Sequence, residues 1–271
     1  METTDRWTSI PGATTDVEMR VFIATPSGRE RPPGLVLIHE AFGIDQWVQD
    51  ITRRFASEGF ITAAPDLFSV DPFGRTVKPE EVMELFALRG RVPPERRRDP
   101  GALNEVLSTL PAERADRLRQ VMQWSGNRDM GALAAHVDRA VQWLRSNDWC
   151  GDKVGLLGFC FGGGMTLRSL VEGVAVDAAA PFYGSNPPLD RISAVSCPLL
   201  LMYGRNDPFI MPQVPDLVRA VQDADLQYGL HVFEQAGHAF LNDQRPDMYS
   251  ESASAEAWPI TINFFQRHLA A

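Results

Sequence analysis

The chain has 271 residues, three cysteines and a formal net charge of −9, with 44% hydrophobic and 23% charged residues. That length buries a substantial core, and the acidic balance argues against nucleic acid or an anionic membrane as a partner. An odd number of wide-set cysteines argues against a disulfide framework, and with no C-x-x-C pair a zinc site has no support.

Residues 1–7 are acidic and polar with no apolar core segment, so no secretory signal is expected and the cytoplasm is the default location. No apolar run reaches the length of a membrane span. Residues 16–24 alternate, with Val17, Met19, Val21 and Ile23 against Glu18, Arg20 and Phe22; this predicts an antiparallel strand with one wetter face. Residues 34–38 are continuously apolar and predict a strand buried on both faces. A helix through Ile51 and Phe55 stops at Gly59, and residues 60–64 form the next buried strand, closed by Pro65.

The rhythm then breaks. Residues 69–129 read as a helical insertion or lid, with apolar-periodic pieces around 82–88 and 114–124. The basic run between them, 89–98, reads as a solvated loop. Met130, Leu133, Ala134, Val137, Val141 and Leu144 fall at helical spacing. Strands follow at 154–157, 176–182, 199–203 and 228–233, with helices at 163–171, 214–221 and 256–269. Strands alternating with helices predict one α/β domain, a mostly parallel sheet covered on both faces. Cys150 and Cys197 read as structural; Cys197 is expected to be a small buried hydrophobe.

One stretch organises the rest. Gly158-Phe159-Cys160-Phe161-Gly162 ends a buried run and opens a helix, the spacing of a nucleophile elbow with sulfur in place of oxygen. The flanking glycines allow strand and helix to approach, and a helix N-terminus favours a thiolate. The rival readings are a structural glycine turn or a phosphate cradle; the latter lacks a following Lys-Ser/Thr and dinucleotide spacing. A thiolate needs a base, and the base an orienting carboxylate. Asp207 follows the strand at 199–203 and His238 the strand at 228–233, the chain order of the α/β-hydrolase fold. Singly, Asp207 reads equally as a turn residue and His238 as a loop histidine; together they complete a constellation. His136 and His268 are expected on solvated helix faces, His231 lies inside a strand, and His39 is placed to shape the site. The loop after residue 38 is where this fold supplies an oxyanion donor, so the backbone N–H groups of Ala41 and Phe161 are the candidates. Glu40 beside them is either a surface acid or a partner of Cys160.

The motifs His39-Glu40-Ala41-Phe42-Gly43, Ala64-Pro65-Asp66-Leu67-Phe68, Gly158-Phe159-Cys160-Phe161-Gly162-Gly163, Phe182-Tyr183-Gly184, Gly204-x-x-Asp207 and Gly237-His238-x-Phe240 together resemble the dienelactone hydrolase family. The resemblance implies a Cys160–His238–Asp207 triad, a resting thiol bonded to Glu40, and Tyr183 lining the pocket. Phe42 and Trp124 are further candidate substrate contacts. It implies hydrolysis of a small-molecule ester or lactone through a thioester; no cofactor or metal is expected, and the protein is expected to be a monomer or homodimer. Two departures bear on substrate. The family's carboxylate-binding arginines are replaced by Ser69-Val70 and Leu241-Asn242, and the insertion is longer than expected; Arg75, Arg89 and Arg91 are cations it carries. Phe73, Leu85 and Phe86 are its candidate pocket covers. The alternatives are a promiscuous phosphotriester or thioester hydrolase on the same triad, or a non-catalytic relative that binds a ligand or senses oxidation.

Overall fold

In the computed structural model, which describes residues 1–14, 16–96, 99 and 101–270, eight strands form one sheet. They are β1 (Thr3–Pro11), β2 (Glu18–Pro26), β3 (Gly34–Ile38), β4 (Ile61–Pro65), β5 (Val154–Phe159), β6 (Ala178–Phe182), β7 (Leu199–Gly204) and β8 (Tyr228–Phe233). Their order is β1-β2-β4-β3-β5-β6-β7-β8. β1 and β2 pair antiparallel, as do β2 and β4, and every other pairing is parallel. The central strands β3 to β7 are buried at every residue, as their continuous apolar runs require.

Helices cover both faces. α1 (Gln46–Ser57) and the C-terminal α8 (Glu251–Leu269) pack on one face, where Phe55, Phe159, Phe182 and Phe265 share a core. On the other, α5 (Met130–Arg145), α6 (Phe161–Val171) and α7 (Val214–Asp223) bury Val137, Leu167 and Leu217 against Val36, Leu156 and Leu201. Each such fully buried side chain contributes about 1.5–3 kcal/mol of transfer free energy. The segment between β4 and α5 is helical, as expected: α2 (Pro79–Gly90), α3 (Ala102–Leu107) and α4 (Ala112–Gly126) close a third, small core around Leu85, Leu88, Leu118 and Val121. Arg97 and Arg98 of the basic run lie outside the described residues. Among the described residues no helix is long and apolar enough to cross a membrane.

Three expectations change. The sequence reading missed β1, whose full-length register with β2 runs from Thr3↔Pro26 to Pro11↔Glu18; of its residues only Ile10 is buried, so no apolar alternation marks it. The wetter face of β2 is partly covered, because Trp7 packs edge-on against Phe22 and the Arg53 guanidinium lies over that ring. His136 is buried rather than solvated: its Nδ1 accepts the Ala13 N–H at 3.0 Å, and burial lowers its pKa.

Candidate active site

Cys160 stands between β5 and α6 with φ 55° and ψ −111°, a conformation costly for a residue with a Cβ. Its neighbours pay by having no side chain. A Cβ on Gly158 would lie 2.1 Å from the Gly162 carbonyl oxygen, and one on Gly162 would lie 2.1 Å from that of Ile38. The Cys160 N–H donates to the Phe182 carbonyl at 3.1 Å, which pins the turn to β6.

The strand ends bring the predicted partners together. His238 Nε2 lies 3.0 Å from Cys160 Sγ, and its Nδ1 lies 2.5 Å from Asp207 Oδ2. Asp207 is buried, and its other oxygen accepts the Phe209 and Ile210 N–H groups at 2.9 and 3.0 Å. Burial opposes ionisation of Asp207, but the bond to His238 and these amides outweigh it and hold its pKa below the ordinary value. Burial likewise opposes charge on His238, yet the bonds to Asp207 and Cys160 hold it up at about 10. The ring thus lies between two hydrogen-bonding partners that both favour its charged form.

Glu40 sits fully inside, with Oε2 accepting from Asn242 Nδ2 at 2.8 Å and Oε1 at 3.5 Å from the Tyr183 hydroxyl. Burial raises its pKa to about 7 against the pull of the Asn242 bond. The expected resting bond from the Cys160 thiol to Glu40 is thus not the one formed. Sγ faces His238 Nε2, while Asn242 and Tyr183 occupy the carboxylate. The Tyr183 ring lies 5.3 Å from that of His238, and burial raises the phenol's pKa well above its usual value. His39 shapes the site from behind. Its Nε2 accepts the Leu67 N–H at 3.2 Å, which assigns the proton to Nδ1 and a donated bond to the Glu40 carbonyl at 2.6 Å. Its ring stacks on Phe161. Among the described residues, neither the Ala41 nor the Phe161 N–H has a protein acceptor.

His238 opens onto a cleft of about 640 Å³ walled by Met83 and Phe86 of α2, Phe209, Arg245 and Met248. Phe42 is buried beneath it, edge-on to Phe86 with the Arg245 guanidinium 5.0 Å from its ring centre. Trp124 is not a wall of this cleft. Its Nε1 donates to Asp71 at 2.9 Å and its ring packs on Phe68, so it braces the insertion and lines a different cavity, of about 280 Å³, with Val70 and Arg128. Leu85 is inside the insertion's own core, and Phe73 packs beside Trp124. Arg75 turns away to the Ser69 carbonyl at 2.5 Å, whereas Arg89 reaches the cleft. The sequence reading missed Met83, Phe209, Arg245 and Met248. Only Phe209 and Arg245 carried a signal, their places just after Asp207 and His238.

Residues 19–269 match the dienelactone hydrolase family. The chain belongs to that family. A relative from Saccharolobus solfataricus, provisionally named carboxymethylenebutenolidase, is 29% identical over 92% of this chain and 94% of its own. The protein usf of Aquifex pyrophilus is 27% identical over 93% of this chain and 95% of its own. Among solved structures, a dienelactone hydrolase-like promiscuous phosphotriesterase from metagenomic libraries superposes with a TM-score of 0.71 at 19% identity, covering 99% of each chain. The dienelactone hydrolase from Anabaena variabilis does so at 0.65 and 17%, covering 99% of this chain and 100% of its own. These likenesses establish the α/β-hydrolase fold, and the family makes the protein a dienelactone hydrolase-like hydrolase.

Proposed function

We propose that the protein hydrolyses carboxylic esters or lactones through a thioester on Cys160, with His238 and Asp207 completing the triad. The observation that carries this reading is the unbroken run Sγ–Nε2 3.0 Å and Nδ1–Oδ2 2.5 Å at the carboxyl ends of β5, β7 and β8. Cys160 and His238 share one proton across the 3.0 Å between sulfur and Nε2, and the thiolate–imidazolium form of the pair is the nucleophile. Sulfur attacks the carbonyl carbon, and a C–S bond forms. The Ala41 and Phe161 N–H groups, free of protein acceptors, receive the oxyanion. The C–O bond breaks as His238 gives its proton to the leaving alkoxide. Water then adds to the thioester and yields a proton to His238, the C–S bond breaks, and the acid departs. Asp207 keeps the ring oriented and offsets its charge. Glu40, with a pKa near 7, buttresses Tyr183 and Asn242 and is a second proton acceptor above that pH.

Stopped-flow turnover of p-nitrophenyl acetate by wild type and Cys160→Ala tests the reading, with mass spectrometry of the quenched enzyme. Turnover lost in Cys160→Ala and an acetyl group on the Cys160 peptide are expected. Turnover retained in Cys160→Ala, or acetylation elsewhere, would overturn it. Assaying a phosphotriester in parallel weighs the second reading, prompted by the phosphotriesterase neighbour: faster turnover of that compound than of the ester would favour it.

A further inference from the structure

The cleft above His238 is built for an apolar limb. Seven large apolar side chains are exposed among the described residues, and three of them stand around this one opening: Met83 at 40%, Phe86 at 50% and Phe209 at 62%. Isolated exposed apolar residues are ordinary, but a cluster around a concave opening marks a binding surface. Met248 completes the wall. Two methionines and two phenylalanines offer adaptable apolar contact without directional bonding. The charged residues on its rim, Arg89, Arg245 and Asp247, carry both signs.

Position decides which limb enters. His238 is a wall of the cleft, whereas Cys160, Ala41 and Phe161 are not. The carbonyl must sit at the sulfur and the two N–H groups. The group beside His238 is the leaving oxygen, which takes its proton there. Resting on the hydrolytic reading above, we infer that the alcohol limb of the substrate is apolar and several carbons long, and that Met83, Phe86 and Met248 select it. The substrates are esters of apolar alcohols, or lactones with an apolar substituent on the alkoxy carbon.

Alkyl acetates and ethyl alkanoates share similar leaving-group chemistry and separate the two limbs. Wild type should show a kcat/KM for hexyl acetate at least about tenfold above that for ethyl acetate, and no comparable gain for ethyl hexanoate. In Met83→Ser/Met248→Ser the hexyl-to-ethyl ratio should fall to within about threefold, while Met83→Leu keeps it. A preference for ethyl hexanoate over hexyl acetate, or a ratio unmoved by the serine variant, would overturn the inference. Calorimetric titration of Cys160→Ala with 1-octanol gives a readout free of turnover. Saturable one-to-one binding, weakened at least about fivefold by adding Met83→Ser, is expected; binding unaffected by that change, or absent, would overturn it. Should wild type cleave no ester at all, the hydrolytic reading fails, and the octanol titration still judges the cleft.

Discussion

Burial governs Glu40 more than any neighbouring charge does, and the sign of its effect on stability follows. Its carboxyl titrates near 4.5 when unfolded and near 7 in the fold. Between those values the unfolded chain has released the proton and the folded chain has kept it. Stability therefore falls as pH rises through that window and is level above it. At about 1.4 kcal/mol per unit the loss is on the order of 3 kcal/mol. Glu40→Gln keeps an oxygen for Asn242 and never ionises. Urea unfolding should show the variant gaining about 3 kcal/mol on wild type between pH 4.5 and pH 8. A difference that does not change with pH would refute the burial argument.

At the scale of elements, the elbow is the place where sequence and geometry constrain each other most tightly. Gly158→Ala would drive a methyl group into the backbone of α6, where the contact is a carbonyl and cannot rotate away. Overpacking against backbone costs about 3 kcal/mol or more, and a thermal or denaturant midpoint lowered by that amount is expected. A variant as stable as wild type would mean that the strand and helix can separate. The same tightness made Cys160 legible: the turn admits only glycine at 158 and 162, which frames the residue between them. The central strands were legible because burial on both faces leaves continuous apolar runs. β1 was not, since backbone bonds to β2 hold it and its side chains face water. α8 begins earlier than its apolar spacing implies, because Ser250 caps it through the Ala253 N–H. His136 looked like a surface residue because its burial comes from the loop at Gly12 and Ala13, more than 100 residues away in the chain. Trp124 and Met83 share that limit. Which of them faces the cleft depends on how the insertion packs, and helical spacing does not encode it.

Taken whole, the molecule is a deeply buried sheet with a lightly founded cover. The core of α2, α3 and α4 holds only a few buried side chains, and it shares Phe42 with the loop after β3. Two carboxylates of α2 bolt it together: Glu84 accepts from Arg114 of α4, and Glu81 ties in Arg117. Glu81, buried on α2, accepts from Arg117 Nε and Nη2 of α4, both at 2.9 Å, and from Arg114 Nη1 at 3.4 Å. Arg117 also donates to the Thr76 carbonyl at 2.7 Å, just before α2. The Arg117 bond, working against burial, holds the Glu81 pKa below its ordinary value. The stabilisation it brings is present above the unfolded carboxyl's pKa and is lost as pH falls through the lower folded one. Because one partner is buried and the other half-exposed, Glu81→Gln should cost about 2 kcal/mol, between exposed and buried ion pairs. The loss should be local, since the insertion's core is separate from the two that sandwich the sheet. Amide hydrogen exchange should therefore quicken across residues 79–126 in Glu81→Gln, with β3, β5 and β6 unchanged, and acidification of wild type should act in the same direction on the same segment. If the cover also forms the alcohol-limb wall, the variant's KM for hexyl acetate should rise several-fold while ethyl acetate turnover stays within about twofold. Exchange that quickens equally in the sheet would show that the cover and the sheet unfold as one unit, and that Glu81 does not bolt a separable lid.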